Sequence, residues 1–166
     1  MTRPILAAAA ALAWLAAPAA AQDASASATV DAGRAFMAEV AMVTDADGDG
    51  RIAPRELARL SGEVFASMDG DGDGRLTRAE MAGWRHGPGA MAAHRGRAQA
   101  FEAAAGMVFA LFDRDGDGAV TAAEHARGTA VAAGFADLDG DGAMSMAEFE
   151  DRFIVNVALR EALRPS

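Results

Sequence analysis

Four stretches of the chain share one twelve-residue pattern: DADGDGRIAPRE from Asp45 to Glu56, DGDGDGRLTRAE from Asp69 to Glu80, DRDGDGAVTAAE from Asp113 to Glu124, and DLDGDGAMSMAE from Asp137 to Glu148. Each has Asp at its first, third and fifth positions, Gly at the sixth, an apolar residue at the eighth and Glu at the twelfth. Asp-Gly strings alone are ordinary surface turns. A distant Glu and an apolar residue, repeated at fixed offsets in all four stretches, need another cause. Carboxylates at alternate positions of a tight loop, closed by a two-oxygen Glu, make a cage for a hard cation that takes roughly six to eight oxygens. The sixth position must turn sharply with positive φ, which Gly does without steric cost.

On these residues the chain resembles the EF-hand superfamily across about residues 30–160. The resemblance implies an all-α fold: four helix–loop–helix motifs arranged as two pairs, with short β-bridges between paired loops. It implies up to four bound Ca²⁺. The ligands it assigns are Asp45, Asp47, Asp49, Arg51 and Glu56 in loop 1, and Asp69, Asp71, Asp73, Arg75, Thr77 and Glu80 in loop 2. Loop 3 contributes Asp113, Asp115, Asp117, Ala119, Thr121 and Glu124, and loop 4 contributes Asp137, Asp139, Asp141, Ala143, Ser145 and Glu148. Arg51, Arg75, Ala119 and Ala143 act through their backbone carbonyls. Loop 1 has Ala53 where the others have a hydroxyl, so a bridging water and a weaker site are expected there. Pro54 follows at the first turn of the outgoing helix, where proline is tolerated. Ile52, Leu76, Val120 and Met144, at the eighth positions, are expected to be buried between paired loops.

The loops start at residues 45, 69, 113 and 137. This spacing predicts an N-terminal pair over 30–84, a flexible linker over 85–97 (or a basic patch for an anionic partner), and a C-terminal pair over 98–166. Only 12 residues separate Glu56 from Asp69, and 12 separate Glu124 from Asp137. The inner helices of each pair are therefore expected to be short, with breaks at Gly62 and Gly128. Helical spacing puts Phe36, Val40 and Val43 on one stripe, and Phe101, Ala105, Val108 and Phe112 on another. Phe65, Met68 and Phe109 bracket their loops, whereas His125 interrupts the apolar residues that follow the closing Glu elsewhere. The last helix is expected to run unbroken from Ser145 past Leu163.

The N-terminus, MTRPILAAAAALAWLAAPAAAQDA, reads as a signal peptide over residues 1–21, followed by a disordered 22–29. Its apolar run is too short for a membrane span. Export, to a bacterial periplasm or medium, is the expectation; all 15 basic residues are Arg, which with the Ala and Gly content suits a GC-rich genome. The chain has no Cys, so a core or a metal must hold the exported fold. The formal charge is −9, yet sixteen of the 24 acidic residues are assigned loop ligands. The acidity thus belongs to the loops, and without cations these clustered carboxylates repel. Metal binding is therefore expected to couple to folding.

His86, His94 and His125 lack zinc-ligand spacing, and no nucleophile elbow, phosphate loop or dinucleotide fingerprint occurs. A non-enzymatic, monomeric calcium buffer or calcium-stabilised module is expected, with no nucleic-acid partner. The alternatives are a calcium sensor that shows an apolar face to a protein partner, and a periplasmic lanthanide binder. The short gaps, the four loops and the leader also resemble the lanmodulin family. That family has Pro at the second loop position and Asp at the ninth; here those positions hold Ala46, Gly70, Arg114 and Leu138, and Ala53, Thr77, Thr121 and Ser145.

Overall fold

The twelve-residue gaps decide the architecture. A loop's Glu starts the outgoing helix, and nothing between Glu56 and Asp69 forces that helix to end, so one helix fills the whole gap. The computed structural model describes the backbone of residues 25–84 and 86–163, with side chains from Gly33 onward. It shows α1 at Ser25–Thr44, β1 at Arg51–Ile52, α2 at Pro54–Met68, β2 at Arg75–Thr77 and α3 at Arg78–Gly83. Then come α4 at Pro88–His94, α5 at Ala98–Phe112, β3 at Ala119–Thr121, α6 at Ala122–Ala136, β4 at Met144–Ser145, α7 at Met146–Asp151 and α8 at Ile154–Ala162. The proposed leader, residues 1–21, lies outside the described residues.

α2 leaves loop 1 and enters loop 2; α6 leaves loop 3 and enters loop 4. Each has 15 residues and so spans about 22 Å. Gly62 and Gly128 lie inside them and break neither, which corrects the expectation of short inner helices. At opposite ends of a rigid helix, loops 1 and 2 cannot meet, and neither can loops 3 and 4. The pairing expected from the tandem spacing is therefore replaced by another. Loop 1 pairs with loop 4 through antiparallel β1 and β4, with Ile52 opposite Met144. Loop 2 pairs with loop 3 through β2 and β3, with Leu76 opposite Val120. The two struts, α2 and α6, pack antiparallel, with one loop pair at each end.

Each loop pair has its own core. Around loops 2 and 3, Phe65, Met68, Leu76, Met81, Phe101, Val108, Phe109, Phe112 and Val120 are buried together. Around loops 1 and 4, Ala41, Ile52, Leu57, Ala132, Ala136, Met144, Phe149 and Phe153 are buried. The eighth-position residues are at most 2% exposed, and burying each contributes up to about 1.5–3 kcal/mol. Between the cores, Ser61 Oγ on α2 lies 2.9 Å from His125 Nδ1 and donates to Thr129 Oγ1 at 3.2 Å, both on α6. Phe65 and Phe112 meet the His125 ring edge-on, at centroid distances of 5.6 and 5.3 Å. The residue that interrupts the apolar series is thus a satisfied strut-to-strut contact.

Four other expectations change. Residues 88–94 form a packed helix rather than a flexible linker: Pro88, Gly89 and Ala92 are buried. A Cβ at Gly89 would stand 2.0 Å from the Trp84 carbonyl and 3.2 Å from the Phe101 ring, so glycine serves close approach here rather than mobility. Helix α1 begins at Ser25, within the segment expected to be disordered. On α1 the buried residues include Met37, Ala41 and Thr44, while Val43 is 59% exposed. The last helix breaks at Arg152–Phe153, where Asn156 Nδ2 donates to the Phe149 carbonyl at 2.9 Å. The break lets Phe153 stay in the core around loops 1 and 4 while α8 carries Ala162 and Leu163 into the core around loops 2 and 3. Asp151, at the end of α7, accepts from Arg34 of α1 and Arg160 of α8, each at 2.6 Å. Among the described residues no helix is long and apolar enough to cross a membrane.

Candidate metal centres

Each loop is wound around its first Asp. In loop 1, Gly48 N and Asp49 N donate to Asp45 Oδ1 at 2.8 and 3.1 Å, and Gly50 N donates to Oδ2 at 2.9 Å. Loops 2 and 4 repeat the two glycine contacts on Asp69 and Asp137. Gly50, Gly74, Gly118 and Gly142 take φ of 81 to 90°, as the sixth position requires. The fourth positions also turn left-handed: Gly48, Gly72, Gly116 and Gly140 have φ of 71 to 74°. That second glycine requirement is visible in the repeated D-G-D-G string.

The closing Glu is held at both oxygens. Glu148 Oε1 accepts from Leu138 N at 2.7 Å, and its Oε2 accepts from Ser145 N and Oγ at 2.8 Å. Glu80 and Glu124 are held alike by Gly70 and Thr77, and by Arg114 and Thr121. The ninth-position hydroxyls of Thr77, Thr121 and Ser145 in turn cap the outgoing helices. Ala53 provides no such side-chain cap, so Glu56 accepts only from Ala53 N and the backbone at Ala46 and Asp47. These donors hold the carboxyls below their usual range: Ser145 N foremost takes Glu148 to about 2. Glu56, Glu80 and Glu124 are lowered chiefly by Ala53, Thr77 and Thr121. All four closing carboxylates are therefore ionised at neutral pH.

The loops bring their acids together in threes. Oxygens of Asp45, Asp47 and Glu56 lie within 4.8 Å of one another, as do those of Asp69, Asp71 and Glu80, and of Asp113, Asp115 and Glu124. In loop 4 the set is Asp137, Asp139 and Asp141, without Glu148. Asp49, Asp73 and Asp117 stand outside their loops' sets. An ion's charge would draw these remaining acids inward. The donor set is all oxygen, suited to calcium. In loop 3, Asp113 Oδ1 is buried without any hydrogen-bond partner, as fits an oxygen that would ligate a cation.

The family model described as EF hand matches residues 62–82 and 108–124. Those two stretches are similar to EF-hands. The two matches fall on loops 2 and 3, which the structure pairs with each other. No curated protein and no solved structure is found to match the chain.

The paired loops also exchange side chains that the ligand pattern did not reveal. Arg51, at the seventh position of loop 1, donates through Nη2 to Asp141 Oδ2 in loop 4. Arg75, at the same position of loop 2, donates to Asp117 Oδ2 in loop 3. In the ligand pattern both arginines have a role only through their carbonyls. The signal that could have found the side-chain contact is the alternation at this position: Arg in loops 1 and 2, Ala in loops 3 and 4.

Proposed function

We propose that this protein binds calcium through all four loops, as an exported buffer or calcium-stabilised module. One observation carries the reading: every loop gathers three carboxylates within 4.8 Å, a concentration of like charge that a divalent cation relieves. The shared struts favour a buffering or stabilising role, because one of the two helices flanking each loop also serves a loop of the other pair. A sensor is the second reading. Phe135, Leu138 and Val131, at the loop-4 end of α6, are 83%, 68% and 51% exposed and would be the apolar face it presents.

The test is a calcium titration of the chain from Gln22 onward, followed by far-UV circular dichroism and a hydrophobic dye. Helicity rising while dye fluorescence stays flat or falls supports the buffer or stabilised module. Rising dye fluorescence supports the sensor. Changing Glu56, Glu80, Glu124 and Glu148 to Gln should remove most binding, and undiminished binding would refute the site assignment. A parallel titration with a trivalent lanthanide, competed by calcium, tests the remaining expectation.

A further inference from the structure

We propose that Arg75 and Arg51 are specificity-determining residues acting in trans: each guanidinium competes with the ion for a ligand of the partner loop. The inference rests on calcium binding by the loops and concerns what sets their relative affinities.

The geometry is asymmetric. In all four loops, Oδ1 of the fifth-position Asp accepts from the seventh-position N: Asp49 from Arg51 at 2.9 Å, Asp73 from Arg75 at 2.8 Å, Asp117 from Ala119 at 2.9 Å, Asp141 from Ala143 at 3.1 Å. That contact leaves Oδ2 as the oxygen available to a cation. In loops 3 and 4 a guanidinium already occupies it, Arg75 on Asp117 and Arg51 on Asp141. In loops 1 and 2 no arginine reaches Asp49 or Asp73 among the described residues. Loops 3 and 4 have Ala119 and Ala143 where the arginines stand in their partners, so nothing reaches back.

The contact depends on the observed pairing. The antiparallel register sets Arg75 opposite Thr121 and Arg51 opposite Ser145, within reach of the neighbouring fifth-position acid. Pairing loop 1 with loop 2 would have placed two arginines together and left two alanines in the other pair. The arginines thus select the loop partner, neutralise part of its charge without metal, and must leave Oδ2 when the ion enters. A contrasting case lies within loop 1, where Arg55 contacts Asp47 Oδ2 of its own loop. Arg75 and Arg51 act across a loop pair, and Arg55 acts in place.

The experiment is a calcium chloride titration of the whole protein, read loop by loop from the backbone amide resonances of Gly50, Gly74, Gly118 and Gly142. The variants are Arg75→Gln, Arg51→Gln and Arg55→Gln, which keep the backbone carbonyls and remove the charge. R75Q should tighten loop 3 by about two- to fivefold, the worth of an exposed ion pair, with a smaller change in loop 2. R51Q should do the same for loop 4, and R55Q for loop 1. Arg75→Lys, which keeps the charge, should stay near the parent and controls for damage to the fold. If the R75Q gain falls on loop 2, or on neither loop, the trans competition is overturned. If the parent protein takes up no calcium, the binding reading itself fails, a different result from an unmoved R75Q.

Discussion

Replacing Gly62 and Gly128 by Ala, one at a time, separates the two roles glycine plays in the struts. Both lie inside 15-residue helices, so propensity alone predicts that each change stabilises by about 1 kcal/mol. The surroundings differ. A Cβ at residue 62 meets nothing within 4 Å. A Cβ at residue 128 would stand 2.4, 2.7 and 2.8 Å from three ring carbons of Phe112. That ring is 2% exposed and packs edge-on against His125, so it has no free space to move into. Overpacking of this kind costs about 1–3 kcal/mol, which outweighs the propensity gain. Gly62→Ala should therefore raise stability by about 1 kcal/mol, and Gly128→Ala should lower it by up to about 2 kcal/mol net. Urea denaturation followed at 222 nm, with excess calcium and with chelator, measures both. Equal stabilisation by the two changes would mean that α6 does not rest on Phe112. Loss of stability in Gly62→Ala would mean that α2 is broken there, and the end-to-end separation of loops 1 and 2 would fall with it.

Two further predictions bear on the pairing and on the buried histidine. Leu76→Ala, at a residue 0% exposed, should cost about 2–5 kcal/mol and weaken calcium uptake by loops 2 and 3, with Ile52→Ala doing the same to loops 1 and 4; an effect of Leu76→Ala on loop 1 in place of loop 3, seen in the same glycine amides, would restore tandem pairing. Burial holds the His125 imidazole down to about 4 from the usual 6.5, so the unfolded chain binds the extra proton first and metal-free stability should be full above pH 6.5 and decline towards pH 4. The loss from this group at pH 5 is about 2 kcal/mol, read as the difference in pH slope between the parent and His125→Leu; equal slopes would show that His125 is not buried as described.

The loops were legible because their signal is local. Ligand types, the turning glycines and the buried eighth-position residues all lie within twelve residues, and backbone geometry dictates them without help from the rest of the chain. Loop partnership was not legible from the loop starts, whose 24-residue spacing in each half suggests tandem pairs. The decisive clue was the gap of 12 residues, which one continuous helix fills. Gly62 and Gly128 hid this, since a helical glycine reads as a break, and only Gly128 has a ring, Phe112, packed against it. On α1, period alone could not choose between the stripe of Val40 and Val43 and the adjacent stripe of Met37, Ala41 and Thr44. The choice was made by the loop-1 and loop-4 core, whose members come from four distant helices.

The struts also limit what an ion in one loop can do. A hand that opens must rotate its incoming helix against its outgoing one. Here the outgoing helix of loop 1 is the incoming helix of loop 2, and the same holds for loops 3 and 4 through α6. Turning α2 to open the loop-1 end would move the loop-2 end as well, some 22 Å away. It would also pull Ser61 from His125 and Thr129, leaving polar groups buried without partners. Opening one end by turning a strut therefore disturbs both cores and the contact between them. Filling the loops without large rotation disturbs none of these, and it relieves the carboxylate repulsion at each end separately. If the loops bind calcium as proposed, this energetic asymmetry favours tightening around the ions over opening a groove. Its observable consequence is that hydrogen exchange in α2 and α6 should slow on calcium addition along their whole length, not at one end.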